Sequence, residues 1–238
     1  MSLIVLTNAD LCSRIWSYQN GAPFIVRVFV SKWKKMQLPN TVSDYVCKIG
    51  DLPMLQRLLN CGYDLLTPKA MDWAAMQGHL HIVQYLHENH NSCTVDAIDQ
   101  AAKNGHFELV AFLCNNRKEG CTSNGYLWAA THGYVHIVRL LSFHYPHQQW
   151  NYALAIERAA AQGHLDMVKW LLPLQSPLTI ESILKIAVYH GHVSILELLL
   201  QSSVLPAKLD NTMKTMARYR GHTKVLNILE HCHTKLVV

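Results

Sequence analysis

The apolar residues of the chain recur in step with a series of glycines. Apolar residues stand four, five and eight positions after each glycine, as Ile82, Val83 and Leu86 do after Gly78. These offsets lie on one face of an α-helix, so the pattern predicts a helix with one buried face after every glycine. The glycines are 27 to 30 residues apart: Gly50, Gly78, Gly105, Gly133, Gly163, Gly191 and Gly221.

A second helix is predicted before each glycine. The glycine supplies the left-handed backbone conformation that ends this first helix. A unit of helix, turn and helix cannot bury both of its faces alone, so the units must stack into an α-solenoid. Paired alanines just upstream would let neighbouring helices approach closely, and four units have them: Ala74 and Ala75, Ala101 and Ala102, Ala129 and Ala130, Ala159 and Ala160.

The repeated motif Ala-Ala-x-x-Gly-His-x-x-Ile-Val-x-x-Leu, as in residues 74–86, resembles the ankyrin repeat. The resemblance covers roughly residues 41–232, and the short period is similar to that of large ankyrin families in protists. The Thr-Pro-Leu-His block of the ankyrin signature is missing, so we expect short loops where β-hairpins would project. In place of the block's histidine the chain has Asp72, Asp99, Leu127, Glu157, Lys185 and Thr215.

Residues 1–40 lie outside the repeats and are expected to form a helical N-terminal cap. The run at residues 24–36 is ambiguous, because its Val-Arg-Val-Phe-Val portion would also suit a strand. A helix fits an otherwise helical chain better. The predicted fold is therefore all-α: a solenoid of about seven short ankyrin-like helix-turn-helix repeats over residues 41–238, with a helical cap over residues 1–40.

Residues 1–40 also loosely resemble an F-box. The resemblance rests on a Leu–Ile helix followed by Arg27-Val28 and Val30-Ser31-Lys32-Trp33-Lys34, although the Leu-Pro opening is absent and one residue is missing before the tryptophan. It implies that Leu11, Ile15 and Val30 contact an adaptor subunit of a cullin-type ubiquitin ligase, and that the repeats select the substrate. A simple capping helix pair would show the same apolar pattern, so both interpretations stay open.

The composition narrows the possible classes of protein. Half of the residues are hydrophobic and 16% are charged, which excludes an intrinsically disordered chain. The formal net charge of +5 is modest and the basic residues are scattered, so we expect no nucleic-acid partner. No stretch is long enough to span a membrane, and no signal peptide is recognisable. Seven cysteines without a Cys-x-x-Cys pair are expected to be reduced, which indicates an intracellular, cytoplasmic protein.

The fifteen histidines do not predict a metal site. Five of them recur at one offset of the repeat, so we expect them to form hydrogen bonds with backbone around the turn. His87-Glu88-Asn89-His90 lacks the spacing that would put both imidazoles on one helical face. The recurring histidines are His79, His106, His164, His192 and His222.

No catalytic constellation emerges either. The serines lack a Gly-x-Ser-x-Gly setting, and the glycines form no phosphate-binding loop. We expect the carboxylates of Asp72, Asp99, Glu108 and Asp166 to be solvated on the surface. The chain is therefore predicted to be no enzyme and to hold neither a metal nor a cofactor.

The ankyrin resemblance implies that the first helices line a concave face where partners bind. Positions five and two residues before each glycine should lie outside the paired alanines, and they hold Trp, Tyr, Met and Arg, which are enriched at interface hot spots. Trp73 and Trp128 could instead be half-buried against the preceding repeat. The candidate partner-binding residues are Trp73, Met76, Gln100, Lys103, Trp128, Thr131, Arg158, Tyr189 and Tyr219.

The function predicted from the sequence is non-catalytic binding of a partner protein through this concave face. The alternative is substrate recognition for a cullin-type ubiquitin ligase. We expect the chain to be a monomer with a protein partner, and to bind neither nucleic acid nor membrane.

Overall fold

The computed structural model describes residues 24–35, 41–62, 66–89, 91–201 and 211–235. All regular secondary structure in these ranges is helical. Helix α1 (Phe24–Lys35) precedes the repeats, which confirms the helical interpretation of this run over a strand. Leu11 and Ile15, which support the F-box resemblance, lie outside the described residues.

Seven helix pairs follow, numbered here as repeats 1 to 7 after the glycines from Gly50 to Gly221. The first helices are α2 (Val42–Ile49), α4 (Pro68–Gln77), α6 (Asp96–Asn104), α8 (Ser123–Thr131), α10 (Tyr152–Gln162), α12 (Pro177–His190) and α14 (Asn211–Tyr219). The second helices are α3 (Leu52–Asn60), α5 (Leu80–Glu88), α7 (Phe107–Asn116), α9 (Val135–His144), α11 (Leu165–Leu171), α13 (Val193–Gln201) and α15 (Thr223–Lys235). The short loops expected between repeats are confirmed within the described residues, which hold no strand.

The turn inside each repeat has the geometry that the glycine pattern predicts. Gly78 has a φ of +80°, in the left-handed region. Its amide donates to the Ala75 carbonyl at 3.1 Å, and the His79 amide donates to the Ala74 carbonyl at 2.9 Å. These bonds satisfy carbonyl groups that the end of α4 would otherwise leave without a partner. The chain can therefore reverse direction within two residues.

A single hydrophobic core runs along the array between the two helices of every repeat. The apolar residues four, five and eight positions after each glycine are all buried, except Leu226 in the last repeat. The paired alanines are fully buried where one first helix meets the next, as at Ala101 and Ala102. Both predictions from the apolar pattern are thereby confirmed.

Small side chains bring the first helices closer together than the second helices. Neighbouring first helices pack closely against each other along the array, whereas neighbouring second helices make far fewer contacts with each other. An array whose elements are closer together on one side must curve towards that side. The first helices therefore lie on the concave side, and the last turn of each first helix lies beside a turn glycine.

The expectation that Asp72 and Asp99 are solvated was wrong. The two residues are only 5% and 3% exposed. The Asp72 carboxylate accepts hydrogen bonds from the backbone N–H and the hydroxyl of Thr94, each at 2.8 Å. Asp99 accepts the same two bonds from Thr122. Burial in this position is possible because both carboxylate oxygens have a donor.

A third aspartate repeats this arrangement, so the contact is a feature of the array. Asp44 accepts from the backbone N–H of Thr67 at 3.0 Å and from its hydroxyl at 2.8 Å. In each case the carboxylate belongs to one repeat and the threonine precedes the first helix of the next repeat. We call these three contacts the aspartate–threonine links. They join repeats 1 to 4 by polar contacts in addition to apolar packing.

The environment of two of these carboxylates also affects their ionisation. Desolvation raises the pKa of Asp72 and Asp99 above the usual value, because it outweighs the lowering effect of the threonine hydrogen bonds. Glu108 and Asp166, by contrast, are exposed on second helices, as predicted.

One glycine inside a helix is explained by the same link. Gly125 lies in the first turn of α8 and is buried against Asp99. A Cβ atom at this position would lie 2.9 Å from the Cα atom of Asp99, which is closer than real contacts allow. The absence of a side chain therefore lets α8 approach α6 closely enough for Thr122 to reach the Asp99 carboxylate.

We expect Gly125→Ala to destabilise the chain by about 1–3 kcal/mol, the usual cost of overpacking a core. The sign of this change in stability is informative, because alanine is a better helix former than glycine by about 1 kcal/mol and would stabilise an isolated helix. Urea unfolding followed by circular dichroism would measure the change. Asn124→Ala, at the exposed neighbouring position, is the control and should change stability little. A stabilised Gly125→Ala variant would contradict the close-packing explanation.

We expect Asp99→Ala to lower the free energy of unfolding by about 1–3 kcal/mol, because it leaves the partly buried N–H of Thr122 without its acceptor. Asp99→Asn should cost clearly less, since an amide oxygen can still accept from that N–H. The comparison is made by urea unfolding at neutral pH. Equal losses in the two variants would show that the negative charge, and not the hydrogen bond, is what matters.

Candidate protein-binding face

The last turns of the first helices form a continuous surface on the concave side. We call it the inner strip and define it as the residues five, two and one positions before each turn glycine. None of these residues is buried, whereas the two positions between them are, except Arg218 in repeat 7. The inner strip consists of Tyr45, Lys48, Ile49, Trp73, Met76, Gln77, Gln100, Lys103, Asn104, Trp128, Thr131, His132, Arg158, Ala161, Gln162, Ile186, Tyr189, His190, Met216, Tyr219 and Arg220.

All nine candidate residues from the sequence lie on the inner strip. Arg158, Tyr189 and Tyr219 are exposed, and the two tyrosines are 42% and 91% accessible. The other six are partly exposed: Trp73, Met76, Gln100, Lys103, Trp128 and Thr131.

The two tryptophans are half-buried because each is covered by a lysine of the preceding repeat. The Lys48 Nζ atom lies 5.4 Å from the centroid of the Trp73 ring. The Lys103 Nζ atom lies 5.0 Å from the centroid of the Trp128 ring. At these distances the ring face attracts the ammonium group. Each tryptophan is therefore partly exposed, with a cation above its ring.

A third cation–aromatic pair lies near the end of the array. The guanidinium carbon of Arg220 is 3.8 Å from the centroid of the Tyr189 ring. This pair also joins two neighbouring repeats, with the arginine in repeat 7 and the tyrosine in repeat 6. Three pairs of inner-strip side chains are thus held against each other across repeat boundaries.

Sequence reasoning missed Lys48 and Arg220 as members of this surface. Lys48 stands two residues before Gly50, at the same offset as Lys103 before Gly105. The first unit lacks the Ala-Ala and Gly-His signature, so its equivalent position was not included among the candidates. The spacing alone would have identified it.

Below the inner strip, the repeat histidines fix the backbone that carries it. The Nε2 atom of His106 lies 3.2 Å from the Met76 carbonyl oxygen, and that of His222 lies 3.1 Å from the Tyr189 carbonyl oxygen. With the proton on Nε2, each ring donates to a strip residue of the preceding repeat. His79 and His192 make the same contact. These contacts confirm the predicted hydrogen-bonding role for four of the five recurring histidines, and the ring of the fifth, His164, packs against Gly133.

The same rings explain why the turn residue must be glycine. A Cβ atom on Gly78 would lie 2.7 Å from the His106 ring, and the other turns that precede a further repeat show the same crowding; at Gly221, in the last repeat, no described atom lies within 4 Å. In repeat 4 the ring belongs to Tyr134, which covers Gly105 in the same way. The flat ring therefore separates two successive turns. Four of the imidazole rings also form a hydrogen bond with the preceding repeat.

The described cysteines offer no nucleophile to this surface. Cys47, Cys61, Cys93, Cys114 and Cys121 are all free thiols. Burial raises the pKa of Cys47 and Cys121 to about 12, and that of Cys93 and Cys114 to about 11. These thiols therefore stay protonated near neutral pH and act as small apolar side chains.

A surface separate from the inner strip lies on the other side of the turns. It is an open cleft of about 990 Å³ at the starts of α7, α9 and α11. Phe107, Tyr134, Arg139 and Trp170 contribute to its walls, and no residue of the inner strip lines it. The guanidinium carbon of Arg139 lies 6.0 Å from the Trp170 ring centroid. The residues that line this cleft are thus a different set from those of the inner strip.

Two further features are absent from the part of the chain that the structure describes. No three side chains among His, Cys, Asp and Glu gather there closely enough to hold a metal ion. None of the helices described is long and apolar enough to cross a membrane.

Comparison with family models gives overlapping matches to "Ankyrin repeats (3 copies)" at residues 43–124, 73–151, 100–182 and 126–213. Together these matches extend from residue 43 to residue 213, well over half of the chain. The chain belongs to the ankyrin-repeat family. It is therefore a protein-interaction module, and the resemblance seen in the sequence is confirmed.

Solved structures agree on the fold of this ankyrin-repeat array. The crystal structure of the human ASB11 ankyrin repeat domain is similar, with a TM-score of 0.63 and 17% sequence identity. The similarity covers 80% of this chain and 98% of that domain. At this identity the likeness shows the fold alone. A sequence comparison with curated proteins gives no match.

The exposure of the inner strip predicts unequal costs of truncation along the ankyrin-repeat array. Trp128→Ala should lower the free energy of unfolding by about 2 kcal/mol, roughly half the cost of truncating a fully buried tryptophan. Tyr219→Ala should change it by less than about 0.5 kcal/mol, because the side chain is almost fully exposed. Urea unfolding of both variants would measure this. A Trp128→Ala variant that fails to fold would show that this side chain belongs to the core.

Proposed function

We propose that the chain binds a partner protein, without catalysis, through the inner strip. The observation that carries the proposal is the row of exposed and half-exposed side chains on the concave side, in which every repeat except repeat 3 contributes an aromatic, methionine or arginine side chain. These residue types dominate binding energy at protein interfaces. Six helix-to-helix steps of about 8–10 Å make the row roughly 50–60 Å long.

Order within the inner strip supports a binding role. Binding costs free energy when mobile side chains must be fixed, at about 0.5–1.5 kcal/mol for each long side chain. Lys48 and Lys103 already lie over tryptophan rings, and Arg220 already lies over Tyr189. The histidine contacts hold the backbone beneath them. Part of the entropic cost of binding is therefore met during folding.

For residues 1–40 we propose the role of a cap. Val26 and Val30 of α1 are buried in the core that continues into repeat 1. Val30 is 5% exposed, so it would have to leave that core to contact a ubiquitin-ligase adaptor. This burial favours the cap over the F-box alternative.

The proposal predicts that the triple variant Trp128→Ala, Arg158→Ala, Tyr189→Ala loses the partner while keeping its helical content. The three side chains come from neighbouring repeats, so their removal empties the middle of the inner strip. Affinity capture with the intact chain would identify the bound proteins, and quantitative capture with the variant would measure their loss. We expect at least a tenfold reduction.

The matched control is Phe143→Ala with Arg57→Ala, which removes an exposed aromatic and an exposed arginine from second helices. It should capture the same proteins as the intact chain. Proteins that are retained by the triple variant but lost by this control would contradict the proposal. Circular dichroism would verify that both variants are folded.

A further inference from the structure

The inner strip carries charge of one sign only. Four of its residues are lysine or arginine, and none is aspartate or glutamate. Among the described residues, none of these four cations takes part in an ion pair. The four cations are Lys48, Lys103, Arg158 and Arg220.

Carboxylates elsewhere on the first helices are mostly engaged. The aspartate–threonine links bury three of them, and Glu157 accepts a hydrogen bond from the Ser182 hydroxyl at 2.6 Å. Glu181 lies 2.7 Å from the Lys185 ammonium group. Asp96 stands at the exposed start of α6, two helical turns from Lys103. The cations of the inner strip are therefore not neutralised within it.

The cations are also regularly spaced. They belong to repeats 1, 3, 5 and 7, whereas repeats 2, 4 and 6 present Trp73, Trp128 and Tyr189 without any lysine or arginine on the strip. Cations two repeats apart are separated by roughly 16–20 Å, from the usual distance between packed helices. Five or six residues of extended chain cover this distance at about 3.3 Å per residue.

We infer that the partner segment held by the inner strip is acidic: an extended stretch in which carboxylates recur about every five or six residues, separated by apolar or aromatic side chains. The inference rests on the proposed function and specifies its partner. Carboxylates would meet the four cations, and the intervening apolar side chains would pack on the exposed edges of the aromatic rings. The uncompensated positive charge would also speed the encounter with an acidic chain.

A nucleic acid fits this spacing less well. A single strand presents a phosphate at every nucleotide, and its affinity grows with the number of phosphates neutralised. Four cations spread over the whole strip could neutralise only a small fraction of them. An acidic peptide can place its carboxylates at the spacing of the four cations. Its apolar side chains can then contact the apolar surface between those cations.

The test selects binders from a random peptide library displayed on phage, with the full chain as the target. The strip variant is Lys48→Gln, Lys103→Gln, Arg158→Gln, Arg220→Gln. The control removes the same number of cations from second helices, by Arg57→Gln, Arg139→Gln, Lys169→Gln, Lys224→Gln. We expect the selected peptides to be enriched in Asp and Glu, and to bind the strip variant at least tenfold more weakly than the control.

Other outcomes separate the two proposals. Peptides that need the side chains of Trp128 and Tyr189 but show no acidic enrichment would overturn the acidic partner and leave the concave binding face intact. Peptides that bind both the strip variant and the triple alanine variant at full strength would overturn the proposed function itself. A single-stranded DNA of equal charge that displaces the peptides at lower concentration would overturn the choice of an acidic peptide. Circular dichroism of each variant excludes loss of fold as the cause.

Discussion

Close approach of neighbouring first helices is the constraint on which this molecule depends. The alanine pairs permit that approach, and the turn glycines leave space for a ring from the next repeat. A larger side chain at Ala101 or Ala102, or a Cβ atom at Gly78, would crowd the neighbouring repeat. Because no repeat buries its faces alone, stability resides in the interfaces between units, as in a one-dimensional stack. Curvature follows from the same contacts, since the second helices have no comparable small residues.

Polar contacts between repeats also fix the position of one repeat relative to the next. Apolar faces alone would tolerate some sliding of one repeat over the next. A buried carboxylate does not, because losing its donors would leave a desolvated acid without hydrogen bonds. The aspartate–threonine links at Asp44, Asp72 and Asp99 therefore fix how repeats 1 to 4 are aligned. The histidine contacts do the same near the turns, where they also hold the backbone of the inner strip.

The regular part of the fold could be predicted from the sequence because its causes are local. Offsets of four, five and eight residues after a glycine specify a buried helical face whatever lies beyond. The burial of Asp72 could not be deduced in that way, since its donor Thr94 is 22 residues further on and belongs to another repeat. The recurrence of an aspartate and a threonine at this spacing was visible, but its meaning depends on how repeats stack. The half-buried state of Trp128 likewise depends on Lys103 from its neighbour.

In repeats 1 to 4 the lysine of an odd-numbered repeat lies over the tryptophan of the next repeat, and this gives that part of the surface a period twice that of the backbone. Any repeat can follow any other as far as the backbone is concerned. Loss of a single repeat, such as repeat 2, would set Lys48 and Lys103 in adjacent repeats and leave Lys48 without its tryptophan. Loss of repeats 2 and 3 together would bring Lys48 over Trp128 and restore the alternation. In repeats 1 to 4, the unit that can be gained or lost without breaking the alternation of lysine and tryptophan is therefore a pair of repeats.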